Sequence, residues 1–170
     1  MAQKQITQGD LLFHAVHGVC RVDEVDKKGP VSREAVNYSL VPNNANKMKV
    51  RFVVPAAEMK LSGFHALVSR KGAEEILEYL KDGDFTAGSE EDQTWTLAKA
   101  IFTSSHDELG MKDARKRQAL ERSARGLVGE LAFVLKMTLK EMVVSIKKSL
   151  GNPSRINPTL LAALTHASEG

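Results

Sequence analysis

The residues of this chain best suited to chemistry are cations. Arg115, Lys116, Arg117, Arg122 and Arg125 fall within a single short stretch. Guanidinium groups at that density suit a phosphate backbone, because each neutralised phosphate releases counterions and makes affinity fall with salt. The same charges also suit a solubilising helix face, and on charge alone both readings stand. The sole tryptophan, Trp95, lies in Asp92-Gln93-Thr94-Trp95-Thr96-Leu97-Ala98-Lys99, just behind an acidic, glycine-punctuated run. A lone tryptophan is most often a core residue or half-buried anchor. Beside cations it also suits a wedge that unstacks bases in the minor groove.

Other chemistry finds little support. His14, His17, His65, His106 and His166 are scattered, and no pair has the spacing of a metal site. Cys20 sits in an expected strand with no activating motif and reads as a small buried hydrophobe. Glu90-Glu91-Asp92 suits an exposed connection running into a helix start, where carboxylates meet the positive end of the dipole. Gly126 and Gly129 belong to a helix pattern and form no phosphate-cradling loop. With no catalytic constellation, a non-enzymatic protein without metal or cofactor is expected.

At 170 residues the chain suits one ordinary domain or two small ones, and 42% apolar content is enough for a real core. A single cysteine rules out an internal disulfide framework. Met1-Ala2-Gln3-Lys4-Gln5 is polar and no apolar run approaches the roughly 20 residues of a membrane span, so a cytoplasmic protein without a membrane partner is expected. The net charge of +3 conceals a polarity along the chain. Residues 70–111 hold 4 basic and 10 acidic residues, and residues 112–155 hold 11 basic and 4 acidic, which points to a polyanionic partner for the second stretch.

Strands and then helices must position these groups. Leu11-Leu12-Phe13, the stretch from Val19 to Val25, Val36 to Val41 and Met48 to Val54 read as strands, with turns at Gly9-Asp10, His17-Gly18 and Lys27-Lys28-Gly29-Pro30. Pro55 closes the last of them. Short strands with close turn signals predict a small barrel. After about His65 the period changes to helical. Ala73, Ile76, Leu77 and Leu80 predict a first helix stopped by Gly83. A second opens near Thr94 and ends by Ser104-Ser105; a third runs from about Lys112 to Lys136. On the third, Leu120, Ala124, Leu127 and Leu131 oppose Arg115, Arg122, Arg125 and Lys136, since seven residues make almost two turns. Thr138 and Glu141 have capping-box spacing ahead of a helix on Leu139, Met142, Val143, Ile146 and Leu150, which Gly151-Asn152-Pro153 stops. The tail from Ser154 holds Leu160-Leu161-Ala162-Ala163-Leu164, which suits either a docked helix or a mobile end. The expected division is residues 1–64 and residues 65–170.

At three places the residues resemble the CarD/CdnL family of bacterial RNA polymerase-binding transcription regulators. Gly9-Asp10-Leu11-Leu12-Phe13 with His17-Gly18 is similar to the family's opening. Met48 to Pro55 followed by Ala56-Ala57-Glu58 resembles its strand ending in "VP-A". Trp95 behind an acidic linker and Leu127-Val128-Gly129-Glu130-Leu131 resemble its helical half. Together these cover most of residues 9–135.

The resemblance implies an α+β protein, a Tudor-like β-barrel docking on the RNA polymerase β subunit followed by an all-α domain contacting promoter DNA. It implies that Trp95 enters the minor groove at the upstream edge of the bubble and stabilises the open complex. Lys28 falls at one polymerase-contacting position. Counting back from Pro55 puts the second at Val53, and the nearest arginine is Arg51, two residues earlier on the same strand face. Many members have arginines directly after the tryptophan where this chain has Thr96-Leu97-Ala98, leaving Lys99. DNA contact is therefore expected at Trp95 and Lys99 and along Arg115, Arg117, Arg122 and Arg125. A monomer associated with the nucleoid through polymerase is expected; the alternative is a protein-docking module that never touches DNA.

Overall fold

A computed structural model describes residues 5–27, 36–43, 50–83, 93–105, 113–152 and 155–169. The chain divides into two compact units, Met1–Leu67 and Val68–Gly170. The first is an antiparallel sheet and the second is helical, a mixed α+β architecture.

The sheet unit contains β1 (Leu11–His14), β2 (Gly18–Lys27), β3 (Val36–Pro42), β4 (Phe52–Pro55) and β5 (His65–Ala66), in the order β4-β3-β2-β1-β5. Leu12, Cys20, Val22, Leu40, Val54 and Phe64 form its core. The β2–β3 register shifts between Val22 and Glu24. That irregularity resets the two-residue alternation, so Val25 packs against the core while Glu24 stays exposed. A 3-10 turn, Ala56–Leu61, leads from β4 toward β5.

The expected barrel is not closed. Among the described residues β4 pairs only with β3 and β5 only with β1, so the sheet is open. A β5 of two residues supplies too little ladder to close the sheet on β4. The boundary also lies later than the expected 64/65. Ala66 pairs with Leu12 and His65 with Phe13, which binds both residues to the sheet unit.

The helical unit holds α1 (Arg70–Asp82), α2 (Gln93–Ser105), α3 (Ala114–Leu135), α4 (Leu139–Leu150) and α5 (Pro158–Ser168). Local chemistry sets their ends. The Ser69 side chain accepts from the Gly72 amide, and Gly83 ends α1 at φ 76°, a left-handed conformation that suits glycine. Thr138 and Glu141 form a reciprocal capping box at α4. Pro158 begins α5, and the Asn157 side chain accepts from the Thr159 amide.

Helix α3 packs against each of the other four. Its Leu120, Ala124, Leu127, Val128 and Leu131 meet Ile76 and Leu80 of α1, Ile101 of α2, Met142 and Ile146 of α4, and Leu160 and Leu164 of α5 in one core. The tail is thus a docked helix. No described helix is long and apolar enough to cross a membrane.

Candidate nucleic-acid interface

Helix α3 is held on its apolar side by its four neighbours and presents cations on the other. Arg115, Arg117, Arg122 and Arg125 are all exposed, as is Lys116. No ion pair joins these arginines to a carboxylate among the described residues; the nearby Glu121 instead lies 4.0 Å from His166. Arg115 and Arg122 are seven residues apart and share a face, and Arg125 lies one turn beyond Arg122. Arg117 is off that line, by about 160° around the helix at 3.6 residues per turn. It is exposed because the first turns of α3 are exposed all round, up to Leu120. Arg125 also borders a shallow groove of about 240 Å³ with Glu121, His166 and Glu169, whose mixed charges favour no one ligand sign.

Trp95 corrects the expectation of a DNA-facing wedge. It is 7% exposed and lies in the helical core, its ring edge-on to Tyr79 with centroids 5.6 Å apart. Tyr79 also faces Phe102 at 5.2 Å, and burial pushes the Tyr79 phenol pKa up. A ring so enclosed cannot enter a minor groove without opening the helical unit. Lys99, on the same helix, is half-buried and does not belong to the α3 arginine face.

The late-helix stretch at 127–131 hides a carboxylate that the sequence does not flag. Glu130 is fully buried, and its Oε2 accepts the Val68 amide and the Thr94 hydroxyl, each at 2.8 Å. That bond set ties the head of the helical unit and the start of α2 to the middle of α3. Sequence alone offered one signal, an acidic residue inside an otherwise apolar run.

On the sheet unit, Val53 is 60% exposed on edge strand β4, and Pro55 is half-buried at its end. Arg51 lies just before β4. Its guanidinium holds Asp23 at 2.8 Å and reaches Glu24 at 3.9 Å, so its charge is already met by β2 carboxylates. Lys28 lies outside the described residues.

The histidines of this unit are not scattered in space. His14 and His17 have ring centroids 4.5 Å apart, His17 faces Phe52 at 4.3 Å, and His14 faces Phe64 at 4.8 Å. His14 Nδ1 accepts the Val16 and His17 amides at 3.0 and 3.3 Å, which closes the β1–β2 turn. Burial, then the neighbouring His17 and His65, hold the His14 pKa below its ordinary value, against a backbone bond at Ser62 that raises it. Cys20 is buried in the sheet core, and no group of three or more His, Cys, Asp or Glu stands together as metal ligands among the described residues.

Comparison of the chain with protein-family models and with curated proteins gives no match to either.

Proposed function

We propose that this chain is a non-enzymatic transcription regulator of the CarD/CdnL kind, with a Tudor-like sheet unit that docks on the β subunit of bacterial RNA polymerase. In this reading the helical unit lays the arginine face of α3 along promoter DNA and stabilises the open complex, and association with polymerase carries the protein to the nucleoid. The observation that carries the DNA half is the set of exposed arginines on α3, unmatched by any described carboxylate, on a helix fixed by four neighbours. Rigid placement matters, because the packed helix that carries the cations need not reorder its backbone on meeting phosphates. The polymerase half is supported by the open edge of β4 with its exposed Val53, which suits addition of a partner strand.

With Trp95 buried, this reading rests DNA contact on the α3 arginines alone. The test is a salt titration of full-length protein on duplex DNA. The reading requires binding at low salt that weakens steeply as salt rises. No binding at low salt would remove the DNA half and leave a protein-docking module.

A further inference from the structure

The His14 ring is held at both of its nitrogens, by two different loops. Nδ1 accepts the Val16 and His17 amides at 3.0 and 3.3 Å. A backbone amide keeps its proton throughout the ordinary pH range, so this nitrogen is bare and the proton of the neutral imidazole belongs on Nε2. Nε2 faces the Ser62–Gly63 backbone. A Cβ at Gly63 would stand 2.8 Å from it, and Gly63 has φ 86°, so glycine is needed there on both counts. The backbone bond at Ser62 favours the protonated ring, as a carbonyl accepting Nε2–H does. That side is itself tied down: Ser62 Oγ donates to the Met59 carbonyl at 2.6 Å and accepts the Phe64 amide at 3.2 Å. His14 therefore joins the β1–β2 turn to the segment ahead of β5.

The two attachments respond oppositely to a second proton. It can add only at Nδ1, where it turns an acceptor of two N–H groups into a donor that faces them. The Nε2–H bond to Ser62 is kept and gains charge assistance. The titratable neighbours that act on His14 are His17 from the turn and His65 from β5, and both oppose its charge. β2 meets His14 at Gly18, Phe64 lies beside the ring, and β4 contributes Phe52 against His17; none of these brings a carboxylate. Glu58 and Lys60 of the 3-10 turn are both exposed.

We propose that His14 is an acid-sensitive latch, which on protonation lets go of the Ala15–His17 turn while keeping hold of Ser62. Val16, within that turn, is 63% exposed and offers little burial to keep it in place. With the turn goes the His17 ring, whose centroid lies 4.3 Å from that of Phe52. Phe52 begins the edge strand β4, so release uncovers an aromatic face at the head of that edge. Burial holds the His14 pKa below the ordinary 6.5, so the latch is closed at neutral pH and opens in acid. The inference concerns the sheet unit alone and is independent of any DNA contact by α3.

The test is an NMR titration of the full-length chain from about pH 8 to about pH 5, which spans the histidine range. As the His14 ring takes up its proton, exchange of the Val16 and His17 amides, corrected for its intrinsic pH dependence, should speed by about tenfold, the scale of the bonds lost. The Phe64 amide and the amides of β3 should stay protected. His14→Asn supplies a carbonyl oxygen that can accept the same amides and takes up no proton, so its turn should show no acid step. His17→Phe keeps a ring against Phe52 and removes a neighbouring base, so the ring and amide midpoints should move together to higher pH. Turn amides that stay protected through the ring midpoint would overturn the latch, as would an undiminished acid step in His14→Asn. Loss of protection in Phe64 and β3 within the same step would also overturn it, in favour of unfolding of the sheet. Should His14→Asn not fold, His17→Phe decides, and ring and amide midpoints that move apart there overturn the proposal.

Discussion

Thr94 Oγ1 donates to Glu130 Oε2 across 2.8 Å, and both residues are fully buried. The Val68 amide donates to the same oxygen at 2.8 Å. One atom thereby gathers the head of the helical unit, the first turn of α2 and the middle of α3.

Removing that atom should be costly. Glu130→Ala leaves the Val68 amide and Thr94 hydroxyl buried without this acceptor, and a loss of about 3 kcal/mol or more in unfolding free energy is expected. Glu130→Gln keeps one carbonyl oxygen and should lose about 1 kcal/mol. Urea unfolding of both variants checks the ranking, and equal losses would show that carboxylate geometry is not what matters.

Trp95→Ala should behave as a core truncation. The ring lies against Tyr79 in the main cluster of the helical unit. A loss of about 3 to 5 kcal/mol follows, read as a lower melting temperature of the helical unit. A melting curve unchanged from wild type would contradict the buried placement.

The arginine face makes a prediction in salt. Each cation removed from a phosphate contact lowers the slope of log affinity against log salt by about 0.9. Arg122→Ala with Arg125→Ala should flatten the slope by about 1.8 in a titration on duplex DNA. Thermal stability should stay as in wild type, since both side chains are exposed. An unchanged slope would take Arg122 and Arg125 out of the proposed DNA contact.

His14 makes a prediction in pH. Its folded pKa lies below the ordinary 6.5, chiefly through burial and then through His17. Above that ordinary value both folded and unfolded forms are neutral and stability is complete. As pH falls through 6.5 the unfolded chain takes up the proton first, so stability is lost until the folded pKa is passed. Protonation at Nδ1 would also break the two amide bonds that close the β1–β2 turn. An NMR titration of the His14 ring should show a midpoint below that of a free histidine, and a midpoint above it would refute the assignment.

The helices were legible because their ends are written locally. Gly83 and the Thr138–Glu141 pair mark helix termini whatever lies around them. The arginine line from Arg115 to Arg122 was legible for the same reason, since seven-residue spacing needs no tertiary information. The side on which Trp95 falls was not. Helix α2 carries Trp95, Leu97, Ala98, Ile101 and Phe102 over several directions, and Tyr79 from another helix decides which are enclosed. Glu130 escaped notice because its partners are 36 and 62 residues away in sequence. The His14–His17 ring contact depends on the tight turn between β1 and β2 together with Phe52 and Phe64 from beyond it. Barrel closure failed on a length that no pattern announced, the two residues of β5.

Strand β4 carries a risk as well as an opportunity. An unpaired, partly apolar edge is a template on which other chains can assemble into aggregates. Here the template is four residues long. Arg51 stands before it with its charge held toward β2, and Pro55 ends it without an amide to offer. A visiting strand therefore finds only a few ladder bonds, too few to nucleate an extending sheet. The edge is suited to a short partner that brings further contacts of its own, and it resists indiscriminate self-association.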